Sequence, residues 1–172
     1  MKAWFAALPL IVWASFCCSE QMAPTPNTIT IDLNKLYVGA GVNHNRIDTS
    51  SLDSGSDGTA NGFQVFGGYE LGERSGLDLS AEGGYIQSDD FYSGSNIDAN
   101  GFWGALVVEK ALPELSYRLS ALTRLGLGFK GDDGLIMGLG AQYKVHPNAL
   151  LRFEYLNKDL SQSYQMNAVY KF

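Results

Sequence analysis

From Lys35 to Phe172, apolar side chains return at every second position, in separate segments, with almost no helical period. Successive side chains of a strand point to opposite faces, so this period dictates strands. Seven segments run Lys35–Asn45, Asn61–Gly72, Leu77–Gln87, Gly101–Lys110, Ser116–Phe129, Leu135–Val145 and Ala149–Asn157; the eighth is "YQMNAVYKF", Tyr164–Phe172. Each is close to the roughly 9–11 residues with which a tilted strand crosses a bilayer. The connections "GERSG", "ALPEL" and "HPN" are tight, whereas "RIDTSSLDSGSDGTA" and "SDDFYSGSNIDAN" are long and polar. An even strand number with short turns at one end and longer loops at the other predicts an all-β fold, an eight-stranded antiparallel up-and-down transmembrane β-barrel over residues 35–172.

The two parities of the segments differ in chemistry. One carries Leu, Val, Ala, Met and Gly with no charge in its central band. With the strands starting in the periplasm, Tyr69, Tyr117, Tyr143, Tyr170 and Phe172 fall at its periplasmic end, and Phe63, Tyr85, Phe102, Tyr155 and Tyr164 toward its outer end. Two aromatic girdles around an apolar band are what a membrane barrel needs at its interfaces, and a soluble barrel would reverse the faces. The other parity carries the acids Glu70, Asp78, Glu82, Glu109 and Glu154 and the bases Arg118, Arg124, Lys144, Arg152 and Lys171. Equal numbers in a narrow lumen predict a mutually paired charge network, because an unpaired buried charge is costly. Most of these groups are expected in a layer at the periplasmic end, with Glu82, Arg124 and Glu154 deeper. Eight strands leave an interior that side chains fill, so an open solute pore is not expected.

Ahead of the strands, Lys2 and the apolar run "AWFAALPLIVWASF" are too short for a transmembrane helix and read as a signal peptide over residues 1–19. Cleavage is expected between Cys17 and Ala23. Lipidation at Cys17 or Cys18 is the alternative use of the two cysteines, although Phe16 stands where that signal has a small residue. Residues 20–34, with "PTPNTITIDLN", read as a periplasmic lead-in or a short extra strand. Without Lys2 the chain holds 18 acidic residues against 11 of its 12 basic ones, which argues against nucleic acid as a partner. No calcium-loop spacing or phosphate-binding loop occurs, so neither a metal nor a cofactor is expected.

The segment "LYVGAGV" (Leu36–Val42) resembles the first strand of the small OmpA-like, opacity-type outer-membrane β-barrel proteins of Gram-negative bacteria. "GLGAQYKVHPNALLRFEY" (Gly138–Tyr155) is similar to their sixth strand, turn and seventh strand, and "AVYKF" to their closing strand. The resemblance implies a bacterial outer-membrane location with both barrel termini periplasmic. It also implies an assembly signal in which Phe172 and Tyr170 are read by the outer-membrane insertion machinery.

Three functions follow as expectations. The first is a non-enzymatic, monomeric surface protein whose loops contact lipopolysaccharide, outer-membrane lipids, or a host or cell-surface ligand. Its outer connections hold Asp48, Asp53, Asp57, Asp89, Asp90, Asp98, Asp132, Asp133 and Asp159 against Arg46, Lys130 and Lys158. That acidic crown either binds basic partners or is simply solvated; Phe91 and Tyr92 beside Asp89 and Asp90 are possible loop contacts or an extension of the outer girdle. The second is a lipid A-modifying enzyme using His44 with Ser50, Ser51 or Ser88. The third is a narrow channel, which balanced lumen charges disfavour. His146 reads as a turn residue.

Overall fold

The computed structural model describes residues 32–47, 58–89, 100–129, 134–158 and 161–172. Strands β1 (Leu36–Ile47), β2 (Gly58–Arg74), β3 (Leu77–Ser88), β4 (Gly101–Ala111), β5 (Leu119–Phe129), β6 (Gly134–His146), β7 (Ala149–Lys158) and β8 (Ser161–Lys171) pair in chain order, and β8 returns to β1. All eight pairings are antiparallel, so the sheet is a closed up-and-down barrel without a free edge. The seam runs from Tyr37↔Lys171 to Ile47↔Ser161. Below, the end of the barrel at Leu36 and Lys171 is the terminal end, and the opposite one the far end.

The alternation places the two parities as expected. Along β8, Ser161, Ser163, Gln165, Asn167 and Val169 are buried while Gln162, Tyr164, Met166, Ala168 and Tyr170 are exposed. Outside lie Val38, Val65, Leu106, Leu125, Leu139 and Phe153, large apolar residues left exposed by the rest of the described barrel. In water such a surface would be untenable; against hydrocarbon chains it is the required one. Ring pairs mark its two margins, Tyr85–Phe102 (5.0 Å) and Tyr155–Tyr164 (5.2 Å) toward the far end and Tyr170–Phe172 (5.5 Å, edge-on) at the terminal end.

The terminal-end turns follow local chemistry. Ser75 and Gly76, at φ 57° and 75°, form a two-residue turn with both central residues left-handed, the twist that suits a tight hairpin. Just before it, the register slips between Glu70 and Gly72, where φ of 134° requires glycine. Leu33–Lys35 is a 3-10 turn, capped by Asp32 accepting from the Asn34 N–H at 3.1 Å, and β1 starts at Leu36. The expected signal peptide and the rest of the lead-in lie outside the described residues.

Candidate functional site

The inward parity builds the site. β3 contributes Glu82, β5 Arg124, and β7 both Arg152 and Glu154, all four buried. Arg124 Nη2 lies 2.6 Å from Glu82 Oε2 and 3.1 Å from Glu154 Oε2, and Arg152 Nη1 lies 2.5 Å from Glu82 Oε1. The Tyr37 hydroxyl donates to Glu82 Oε1 at 2.7 Å and stands 2.9 Å from Ser80 Oγ. Arg152 Nε donates to Gln142 Oε1 (2.9 Å), and Gln142 Nε2 to Glu109 Oε1 (3.0 Å). On the other wall, Asn167 Nδ2 donates to Glu154 Oε2 (3.3 Å), and Gln64 Nε2 lies 2.7 Å from both Asn167 Oδ1 and Gln165 Oε1. Two guanidiniums thus meet two carboxylates inside a belt of amides, the kind of geometry in which buried charges become tolerable.

Aromatic rings brace the cluster. Arg124 lies over the Trp103 ring at 4.6 Å, and Arg152 over Phe66 at 5.6 Å. Phe66 and Tyr37 fit because the neighbouring strands offer glycine: a Cβ on Gly39 would overlap the Phe66 ring, and one on Gly68 the Tyr37 ring. Small residues facing large ones is how a narrow barrel interior is filled. On the far-end side of the cluster a space of 20 Å³ is lined in part by Trp103, Arg124, Gln64, Gln165 and Lys158. That is room for about one water molecule. On the terminal side a mouth of 240 Å³ opens among Tyr37, Glu70, Asp78, Glu109 and Lys171, where Lys171 Nζ meets Glu70 Oε1 at 2.6 Å.

Four members of the expected network stand apart from the ion pairs. Asp78 and Lys144 are exposed at the terminal end, and Glu109 binds an amide instead of a base. Arg118 is a correction: β5 begins only at Leu119, so Arg118 belongs to the preceding turn, fully outside the lumen. Its guanidinium lies 5.3 Å from the centre of the Tyr117 ring, and hydrogen bonds to Tyr143 and Tyr117 hold its pKa above the ordinary arginine value. Arg152, expected in the layer at the periplasmic end, sits instead in the centre of the network, buried with Glu82. Lys158, expected in a loop, is the last residue of β7 and is buried.

Other members of the interior were not singled out in the sequence. Ile86, Ile136, Leu150 and Leu156 share the inward parity and form an apolar cluster with Tyr37, Phe66, Trp103 and Val169. Their signal was parity alone, since each continues the inward register of its strand. His44 and Ser88 are on opposite sides of the wall: His44 is exposed on the outside, donating from Nδ1 to Asn61 Oδ1 at 2.7 Å, while Ser88 is buried within. Asp89 is exposed, its N–H donating to the Asn61 carbonyl at 2.8 Å. Phe91, Tyr92, Asp90, Ser50 and Ser51 lie outside the described residues.

The outer membrane protein beta-barrel domain family matches residues 10–172, nearly the whole chain. The chain belongs to this outer-membrane β-barrel family. Its fold is similar to Ail, the attachment invasion locus protein of Yersinia pestis, at TM-score 0.55 and 17% identity over 80% of this chain and 97% of that one. It is likewise similar to Neisserial surface protein A (TM-score 0.53, 17% identity, 80% and 97% covered). A de novo designed transmembrane β-barrel matches at TM-score 0.57 and 20% identity, with 82% and 98% covered. No curated protein sequence matches the chain. The protein is therefore a small eight-stranded barrel of the bacterial outer membrane.

Proposed function

We propose that this outer-membrane barrel is a non-enzymatic, monomeric surface-interaction protein with a plugged lumen and both termini in the periplasm, whose far-end loops contact a partner outside the cell. The carrying observation is the interior: the Glu82–Arg124–Arg152–Glu154 cluster stands across the lumen, and among the described residues a space of 20 Å³ lies beside it toward the far end. A lumen filled in this way favours function in the loops, which a rigid barrel holds out of the membrane. Charge distribution supports the same side: the connections at the far end carry Asp48, Asp53, Asp57, Asp90, Asp98, Asp132, Asp133 and Asp159, an acidic crown suited to a basic or cation-bridged partner. The likeness to Ail, named as an attachment invasion locus protein, is in keeping with a contact role.

The partner classes this reading admits are lipopolysaccharide and a host or cell-surface ligand. Replacing residues 48–57 and 90–99 by short Gly-Ser turns is expected to abolish binding of the displayed barrel to target cells while leaving heat-modifiable migration intact. Unchanged binding would sink the reading. Planar-bilayer recordings are expected to give no sustained large openings, and a reproducible large conductance would overturn the plugged lumen.

A further inference from the structure

The lumen holds a polar feature that the ion pairs do not use. Trp103 on β4 has glycine as its register partner on both sides, Gly84 of β3 and Gly128 of β5, and a Cβ on Gly84 would come within 2.8 Å of the indole. The neighbouring strands thus leave room for the ring, and Trp103 is only 6% exposed. Its Nε1–H nevertheless meets no acceptor among the described residues. The same holds for the Nε–H of Arg124, 3% exposed, whose contacts with Glu82 and Glu154 both run through Nη2. A buried donor without a partner is costly, and native interiors place a water or an ion at such a position.

Both residues line the 20 Å³ space on the far-end side of the cluster. That volume takes one water or one monatomic ion and has no room for a sulfate or a phosphate. The lining favours the ion. Its polar members are Trp103, Arg124, Lys158, Gln64 and Gln165, that is, an indole, two cationic side chains and two amides, with no carboxylate. Indole and guanidinium only donate. A water accepting from both would bring two hydrogens of its own, and Gln165 Oε1 already accepts from Gln64 Nε2. An anion has no hydrogens to place, and cationic side chains on the wall offset the cost of burying it.

We propose that this space is a binding site for one halide ion, such as chloride, held by the Nε1–H of Trp103 and the Nε–H of Arg124. The ion-pair cluster stands between the site and the terminal mouth, so the halide is a resident of the lumen, and the inference is independent of what the loops bind.

The test uses the full chain, folded in a maltoside detergent, with Trp4→Phe and Trp13→Phe ahead of the barrel so that Trp103 is the single tryptophan of the three. Bromide, a heavy-atom quencher, is titrated against gluconate at constant ionic strength. Trp103 fluorescence is expected to fall to a limiting value, chloride to restore it by competition, and sulfate to leave it unchanged. Absence of quenching means that the space holds water only and overturns the proposal; so does quenching that rises without limit, which is collisional, or equal competition by sulfate, which is a general ionic effect. In chloride-35 line-broadening measurements, Trp103→Phe keeps a ring but removes the N–H and is expected to weaken chloride binding about tenfold, the worth of one hydrogen bond to a charged group. Lys110→Gln, at the terminal end, is expected to bind as the parent does. Undiminished binding by Trp103→Phe overturns the proposal, and should that variant fail to fold, the bromide titration decides it alone.

Discussion

Arg124 on β5 reaches past β4 to bring its Nη2 within 2.6 Å of Glu82 Oε2 on β3, its guanidinium lying over the Trp103 ring that β4 sends inward. Glu82 is simultaneously held by Arg152 from β7 and by the Tyr37 hydroxyl from β1. One carboxylate thus ties together strands from around the barrel that share no hydrogen-bonded edge. With Glu154 as the second carboxyl group, the cluster sets two guanidiniums against two carboxyl groups. Such a set is stable only as a whole, because each ion is paid for by its partners.

Glu82→Gln is expected to lower the unfolding free energy by about 3–5 kcal/mol, since it leaves two guanidiniums sharing one carboxylate in the interior. Denaturant unfolding in lipid vesicles measures it. Asp78→Asn, at the exposed terminal mouth, is expected to stay within about 0.5 kcal/mol. Similar effects for the two variants would contradict the central position given to Glu82.

Gly39→Ala is expected to cost about 1–3 kcal/mol, because its new methyl would occupy the space of the Phe66 ring. Combining it with Phe66→Leu, which removes the ring but keeps an apolar side chain, is expected to recover part of that loss in the same unfolding measurement. Additive losses would show that the two positions do not compete for one space.

Leu125→Arg puts a charge at the middle of the outward band, opposite Leu106 and Met137. In a bilayer it is expected to destabilise by about 2–4 kcal/mol. An arginine tolerated there without loss would mean that this surface does not face lipid.

Tyr170 and Phe172 stack edge-on at the terminal end, and we propose, from the resemblance to opacity-type barrels, that they serve as an assembly signal. Phe172→Ala, alone or with Tyr170→Ala, is expected to reduce the fraction of heat-modifiable protein recovered from the outer membrane, while refolding in detergent micelles proceeds. Equal recovery from cells would refute the role.

Most of the barrel could be read from the sequence because period two is unambiguous where one face meets lipid and the other a packed lumen. A slip by one residue would turn Glu154 and Arg152 into the membrane, so the pattern specifies register as well as strand. What parity could not supply was depth and strand ends. Arg118 continues the inward phase of β5 in sequence, yet the turn before Leu119 carries it outside; Lys158 follows a good strand and stays in it, although its lysine side chain resembles a loop residue. The pairing of Arg152 with Glu82 depends on how strands 70 positions apart are brought together around a cylinder, a relation that no local window contains.

The closing seam gives the barrel its kinetic character. Every other strand pair is a hairpin between chain neighbours, but Tyr37 must find Lys171 across nearly the whole folded sequence. Loop-closure entropy makes that the slowest contact to form, and it is also the one that removes both exposed sheet edges at once. Until then β1 and β8 offer unpaired backbone to any neighbouring chain. The step most exposed to misassembly is therefore the joining of first strand to last, and whatever escorts this protein to its membrane has to protect those two edges longest.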